Sequence, residues 1–415
     1  MPSYRPRLID QRLENKLRSS GGVLLRGARQ VGKTTTALKH AKSFVRLDES
    51  GPRQLAQVEP GAVLEGEAPR LIDEWQLVPD VWNSIRHEID SRQAKGQFIL
   101  TGSAAPSDDL TRHSGAGRIA RMTLRPMALA ESGESSGKVK LASLWGEWDS
   151  GAIGGPTVAE YAELIVRGGW PGLVDQSAAT ASDALVDYVE NLSSVDLQAL
   201  DSAPDPVRIT ALIRALARNT ATEVSLTKLA AEAQIGERGP TAQTVRKYLD
   251  QLTQIYVLDE LPAWPVHLRS SIAQRVKPRW HFVDPSIGAA ALRVTPGTLL
   301  DDVETLGLFF ESLAVRDLRA YADTINSRVF HYRDAEGLEV DTVIERPDGT
   351  WAACEIKLGG QWAIDQAATN LLRLRNRLTP DKWSRVASLN IITAGATSYR
   401  RKDGVRVIAL GQLAA

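Results

Sequence analysis

Short apolar runs separated by helical spacings organise the first 130 positions. The runs are Val23-Leu24-Leu25, Phe44-Val45-Arg46-Leu47-Asp48, Arg70-Leu71-Ile72-Asp73-Glu74 and Gln97-Phe98-Ile99-Leu100-Thr101-Gly102-Ser103. Runs of this length, bounded by small and polar residues, predict buried strands. Met122-Thr123-Leu124-Arg125-Pro126-Met127 predicts a closing strand. Helical spacing appears in the basic opening segment Tyr4 to Arg18, with Leu8, Leu13 and Leu17 on one side and its Arg residues read most simply as a solvated face. It returns at Thr35 to Ala41 and at Val78 to Arg92, where Val81, Ile85 and Ile89 share a face. Strands alternating with helices predict an α/β domain built on a parallel sheet.

The pattern changes after about residue 130. Glu131 to Pro156 is rich in Ser and Gly and reads as a linker or long hairpin; Trp145 and Trp148 say that it packs. Tyr161 to Val166 is a short helix running into Arg167-Gly168-Gly169-Trp170-Pro171-Gly172, a turn read as structural. Ala184 to Leu197 and Val207 to Arg218 are amphipathic helices. Ser225 caps a short helix to Ala233, a turn with two glycines covers Gln234 to Pro240, and Thr241 to Gln251 is a further helix with Val245, Leu249 and Leu252 inward. Ile255-Tyr256-Val257-Leu258 then reads as a strand. Helix, turn, helix, strand is the order of a winged helix-turn-helix. Thr241, Gln243, Thr244, Arg246 and Lys247 fall on the outer part of the second helix, where such residues meet phosphates and base edges. With two cations there, a sequence-specific reader is not indicated, and DNA contact and protein packing both stand as readings.

From about residue 266 a sheet pattern dominates. Trp280-His281-Phe282-Val283 is a strand, and Thr305 to Ala320 is a helix carrying Glu311. The strands Arg328 to Arg333, Leu338 to Ile344 and Trp351 to Lys357 follow, separated by turns, and Ile391 to Thr393 and Val405 to Ile408 supply two more.

Composition narrows the class. A chain of 415 residues predicts two or three domains. With 50 Lys plus Arg against 50 Asp plus Glu, any nucleic-acid surface must be local. The lone cysteine, Cys354, excludes an intrachain disulfide and a cysteine zinc site, which suits a reducing cytoplasm. No apolar stretch approaches 18 residues, which argues against a membrane span or secretory signal.

The first domain carries the sharpest chemistry. Gly27-Ala28-Arg29-Gln30-Val31-Gly32-Lys33-Thr34 fits the G-x-x-x-x-G-K-[ST] phosphate loop between a strand and a helix that runs on from Thr35. Small residues let backbone N–H groups surround a phosphate chain, and the helix N-terminus adds partial positive charge. Lys33 then reaches the β- and γ-phosphates of ATP, and Thr34 binds Mg²⁺. Downstream, Asp73 is placed to hold Mg²⁺ and Glu74 to activate the attacking water. Thr101 or Ser103 is a candidate γ-phosphate sensor, with a plain turn as the alternative. Arg118, in Arg112-His113-Ser114-Gly115-Ala116-Gly117-Arg118, is the candidate arginine completing a nucleotide site, in its own chain or a neighbour.

These parts together resemble bacterial and archaeal AAA-type ATPases. The resemblance rests on Gly27 to Thr35, Ile72-Asp73-Glu74 with Gln76, Leu100-Thr101-Gly102-Ser103, Gly117-Arg118, Pro126 and Glu131. It departs at Ser114-Gly115-Ala116, where the family usually has a bulkier residue before Ala-Gly-Arg. The "GG-aromatic-P" turn at Gly168 to Pro171 matches the same family, which implies a helical region and a domain of unknown function after the ATPase.

Near the C-terminus, alternation puts Glu355 and Lys357 on one face of their strand, and the preceding hairpin strand brings Asp341 toward them. With Glu311 from the helix, these groups suit a Mg²⁺ site that activates water against a phosphodiester. Asp341 followed by Glu355-Ile356-Lys357 resembles the PD-(D/E)xK nuclease superfamily. A nuclease-like fold whose salt-bridged groups do no cleavage is the alternative.

The sequence thus predicts three parts: a P-loop ATPase domain over 1–130, a helical and winged-helix region over 131–265, and an α/β PD-(D/E)xK-like domain over 266–415. The expected function is Mg²⁺-dependent ATP hydrolysis coupled to DNA. The alternative is an ATP-controlled switch for a protein partner in a stress, toxin–antitoxin or phage-defence setting. A site shared between subunits would make the protein a homo-oligomer.

Overall fold

A computed structural model of the chain describes residues 4–102, 115–147, 151–192, 197, 205–236, 239–266 and 277–415. The chain forms two compact units. The first is Met1–Pro126 with Asp196–Ala203 and Gln254–Val257; the second is Met127–Val195, Pro204–Thr253 and Leu258–Ala415. The regions expected as middle and last domains thus lie largely in one unit.

The first unit is built on five strands: β1 (Gly22–Arg26), β2 (Ser43–Arg46), β3 (Arg70–Asp73), β4 (Phe98–Thr101) and β5 (Ile119–Thr123). Their order is β2-β3-β4-β1-β5, and every neighbouring pair is parallel. All five C-terminal ends therefore meet at one edge, the edge where α/β sheets bind ligands. The helices are α1 (Asp10–Ser19), α2 (Lys33–His40), α3 (Ser50–Val58) and α4 (Val81–Arg92). Leu24, Ile72, Phe98 and Leu100, from one sheet face, pack with Trp75, Val81, Trp82, Ile85 and Ile89. Each such side chain contributes about 1.5–3 kcal/mol on burial, so Ile85→Ala would loosen this layer.

Three details differ from the sequence reading. The closing strand lies at Ile119–Thr123, not 122–127. The strand expected at 255–258 begins only at Leu258, because Tyr256 turns the chain with φ of 59°. Arg7, expected on a solvated face, is buried.

The second unit opens with α5 (Leu129–Ser132) and β6 (Val139–Lys140). The helices α6 (Val158–Arg167), α7 (Ala178–Asn191), α8 (Pro206–Arg218), α9 (Leu226–Glu232) and α10 (Ala242–Gln254) follow. The Ser225 hydroxyl accepts from Lys228 N and caps α9, as its position suggested. After α10 comes an antiparallel pair, β7 (Leu258–Leu261) with β8 (Arg279–Phe282). The helices α11 (Pro285–Leu292), α12 (Pro296–Asp301) and α13 (Val303–Thr324) precede the sheet. That sheet is formed by β9 (Arg328–Arg333), β10 (Glu339–Glu345), β11 (Trp351–Lys357), β12 (Val386–Thr393), β13 (Tyr399–Arg400) and β14 (Arg406–Ala409), in the order β13-β14-β12-β11-β10-β9. Between β11 and β12, α14 (Gln361–Arg373) covers one face through Ile364, Ala367, Ala368 and Leu371 against Trp351, Val343, Ile391 and Val407. Among the described residues no helix is long and apolar enough to cross a membrane.

The Ser- and Gly-rich stretch after residue 131 is held at defined points. Its strand β6 pairs with β15 (Leu413–Ala414), and the Arg346 guanidinium lies 4.2 Å from the Trp145 ring centroid. The Gly168-Gly169-Trp170-Pro171 turn is also structural. Gly169 N donates to Asp284 (3.0 Å), and Trp170 Nε1 donates to Ser286 (3.0 Å). Asp284 also receives Arg316 Nη1 at 2.7 Å, and Arg316 Nη2 reaches Asp317 at 2.7 Å. Gly168 has φ of 75°, and a Cβ there would strike the Ser286 side chain, which accounts for the glycine.

Candidate nucleotide site and a second charged cluster

The loop after β1 is shaped by two glycines. Gly27 has φ of 150°, and a Cβ there would collide with the Leu124 carbonyl; Gly32, with φ of 93°, opens α2. Arg29 and Gln30 are exposed at its tip, while Ala28 and Val31 are buried. Lys33 is buried and folds back along the loop, its Nζ donating to the carbonyls of Gly27 (3.0 Å) and Ala28 (2.8 Å). Arg7 braces the loop, with Nη1 on the Val31 carbonyl (3.0 Å) and Nη2 on the Arg125 carbonyl (2.6 Å). No pattern in the sequence singled out Arg7, because the Val31 and Arg125 carbonyls that it reaches are backbone atoms.

Strand order brings the other groups in. With β4 between β1 and β3, Thr101 lies opposite both Leu25 and Asp73. Thr34 Oγ1 donates to Asp73 at 3.0 Å (Oδ1) and 3.2 Å (Oδ2), and Thr101 Oγ1 also donates to Oδ1. Thr101 therefore orients Asp73 here. A hydroxyl and a carboxylate at hydrogen-bond distance beside a phosphate loop are hard oxygen donors that fit Mg²⁺. Thr35, exposed on α2, makes no part of this pair. Glu74 follows Asp73 with φ of 55°, and Gln76 Nε2 donates to its carboxylate. Burial, and then the neighbouring Asp73 charge, push its carboxyl above the ordinary value, against the opposing pull of Gln76 and Lys33.

Arg118 is not at this edge. It directly precedes β5, whose Ile119 pairs with Gly22 at the N-terminal end of β1. Its guanidinium pairs with Asp90 at 2.6 Å. The length of β1 separates it from the loop by roughly 15 Å, which removes it from the phosphate site of its own chain. Ser103, Arg112, His113, Ser114 and Trp148 lie outside the described residues.

In the second unit, the groups expected as a nuclease site do meet. Lys357 Nζ lies 2.9 Å from Asp341 Oδ2 and 2.7 Å from Glu355 Oε2, and Ile356 N donates to Asp341 Oδ2 at 2.8 Å. A residue the sequence reading missed joins them. Arg279 Nη1 lies 3.1 Å from Glu311 Oε1 and 3.3 Å from Asp341 Oδ1, and its Nη2 lies 2.6 Å from Glu339 Oε2. Burial, and then the Asp341 charge, push Glu311 and Glu355 upward; Lys357 and Arg279 hold Asp341 below its ordinary value against its burial. With both carboxylate oxygens of Asp341 engaged by cations, the set does not fit a divalent metal. Among the described residues no group of three or more His, Cys, Asp or Glu is arranged to hold one. Glu311, Asp341 and Glu355, expected as metal ligands, face Arg279 and Lys357 here. Cys354 is buried and its thiol is pushed up to about 12, chiefly by burial, as in an inert core cysteine.

On α10, Val245, Tyr248, Leu249 and Leu252 are buried, while Arg246 and Lys247 are exposed. Arg246 pairs with Asp250 at 3.2 Å, and Thr244 N donates to the Thr241 hydroxyl.

Comparison with known proteins matches the chain in three segments. Residues 19–132 match the family model described as an AAA domain. Residues 158–298 match a domain of unknown function, DUF8612, and residues 306–413 another, DUF4143. The chain is 27% identical over 350 residues to uncharacterized proteins of Mycobacterium bovis and Mycobacterium tuberculosis, covering 81% of this chain and 71% of each relative. Among solved structures, a Walker-type ATPase of Pyrococcus abyssi aligns at 16% identity with a TM-score of 0.45, over 69% of this chain and 94% of that one. The first unit is thus similar to an AAA domain in its match to that family model, and it carries a phosphate loop on a parallel sheet.

Proposed function

We propose that this chain hydrolyses ATP to ADP and phosphate with Mg²⁺, and couples the cycle to DNA. The observation that carries the first half is the convergence of Thr34 and Thr101 on Asp73 beside Lys33. Lys33 is placed to exchange the Gly27 and Ala28 carbonyls for phosphate oxygens. Thr34 and Asp73 would hold Mg²⁺, which when bound neutralises charge on the phosphate oxygens. Glu74 accepts the proton of the attacking water, and Gln76 fixes its carboxylate. Backbone N–H groups of residues 28–34 and the start of α2 surround the phosphates. Arg118 serves a nucleotide site only if a neighbouring subunit presents it.

The DNA half is supported by the order α9, α10, β7, β8, in which a helix-turn-helix precedes an antiparallel strand pair. In this reading Thr244, Arg246 and Lys247 meet the phosphate backbone.

Phosphate release from Mg²⁺-ATP, with no polymer, duplex, single-stranded or branched DNA, or RNA, tests the proposal. Release that is lost in Lys33→Ala and raised by DNA is expected. The DNA effect should weaken in Arg246→Ala/Lys247→Ala. Turnover indifferent to every nucleic acid would move the coupling to a protein partner. Turnover unchanged in Lys33→Ala would overturn the site itself.

A further inference from the structure

The Asp341 cluster is closed by a residue that nuclease chemistry does not require. Arg279 sits at the start of β8, and its side chain is 5% exposed. It spans Glu311 on α13 with Glu339 and Asp341 on β10. Lys357 takes the other side of Asp341 and reaches Glu355. Asp341 Oδ1 is thus committed to a guanidinium, and Oδ2 to an ammonium and a backbone N–H.

A divalent cation needs several oxygen donors turned toward one point. Here those oxygens turn toward two fixed cations. The guanidinium keeps its charge at any pH a protein survives, so it does not vacate by deprotonation. A dication entering beside it would meet like charge at short range in a poorly screened site. Expelling Arg279 would bury or displace an unpaired guanidinium, take the cation from Glu311 and leave Asp341 with Lys357 alone, an unfavourable state.

We propose that the Arg279 guanidinium is the resident cation of this cluster: the site takes up no divalent metal, cuts no phosphodiester, and anchors the β7–β8 strand pair to α13 and β10. The anchoring follows from position. Arg279 pairs with Leu261 in the β7–β8 ladder, so the same residue belongs to the strand pair and to the cluster. The C-terminal domain then cuts no phosphodiester at this cluster, whether or not the first unit hydrolyses ATP.

The test uses the full chain without nucleotide. Free Mn²⁺ is followed by electron paramagnetic resonance during titration of wild type, Asp341→Asn, Arg279→Met and Arg279→Met/Asp341→Asn. Wild type and Asp341→Asn should bind equal Mn²⁺. Arg279→Met should gain one Mn²⁺ per chain that the double variant lacks. A wild-type Mn²⁺ site lost in Asp341→Asn would overturn the proposal, as would a folded Arg279→Met that gains none. Should Arg279→Met fail to fold, the wild-type comparison still decides metal binding, and Arg279→Lys decides anchoring. Because a lysine ammonium is a single point and lacks the two-armed reach by which Nη1 and Nη2 meet separate acids, amide exchange at 258–261 should quicken about tenfold in Arg279→Lys. Unchanged exchange there would remove the anchoring role.

Discussion

The hydroxyl of Thr34, on the first turn of α2, lies 3.0 Å from Oδ1 of Asp73, at the end of β3, although 39 positions separate them. A third residue, Thr101, donates to the same oxygen from β4. Thr101→Val should therefore disturb the site without touching nucleotide. We expect stability to fall by about 1–3 kcal/mol, since a buried carboxylate loses a donor. The Mg²⁺ concentration for half-maximal turnover should rise severalfold. Urea unfolding and a Mg²⁺ titration of phosphate release read the two effects.

Lys33→Ala removes the buried loop ammonium placed to follow the phosphates. Turnover should fall by at least about 10²-fold, the loss seen when a donor to a developing charge is deleted. Steady-state phosphate release measures it.

Glu74→Gln should bind ATP and lose turnover by about 10²–10⁴-fold. Because burial raises the Glu74 carboxyl above its ordinary 4.5, wild-type turnover should fall on acidification at a pH above that value. The same shift has a sign for stability. The folded state binds the proton more tightly than the unfolded one, so Glu74's contribution is full below 4.5 and is lost as pH rises through its raised value. Glu74→Gln should gain stability relative to wild type between pH 4 and pH 8, read from urea midpoints at both.

Arg7→Met keeps most of the apolar stem and deletes two charged donors to the Val31 and Arg125 carbonyls. We expect a loss of about 2–4 kcal/mol together with weaker nucleotide binding. Thermal unfolding with and without ATP separates the two, since bound ligand raises stability by mass action.

Arg316→Met leaves Asp284 and Asp317 buried without their shared cation. Breaking such a pair costs about 3–5 kcal/mol, and the Gly169 turn that Asp284 holds should loosen with it. Chemical denaturation of the full chain gives the size.

Much of this was readable from local pattern. The phosphate loop and the strands at 328–333 and 351–357 stand where apolar runs and turn residues put them. Ser225 caps its helix because the cap is a matter of three adjacent residues. What escaped was non-local. Arg7 looks like any surface arginine until strand order brings the Val31 and Arg125 carbonyls to it. Arg279 meets Asp341 across 62 positions, and no spacing rule links an arginine in one strand to acids in another. Arg118 shows the converse: its glycine-rich surroundings suggested a site, but its place before β5 sets it at the opposite sheet edge.

The pairing of β6 with β15 bears on how the chain is made. Ser135 donates to the carbonyl of Leu413, 278 residues later. The first unit's sheet is finished by Thr123 and can close while synthesis continues. The second unit must hold Val139 and Lys140 open until Leu413 and Ala414 emerge. Such long-range closure is slow, and it leaves the earlier segment exposed to chaperones and proteases while the intervening 278 residues are made.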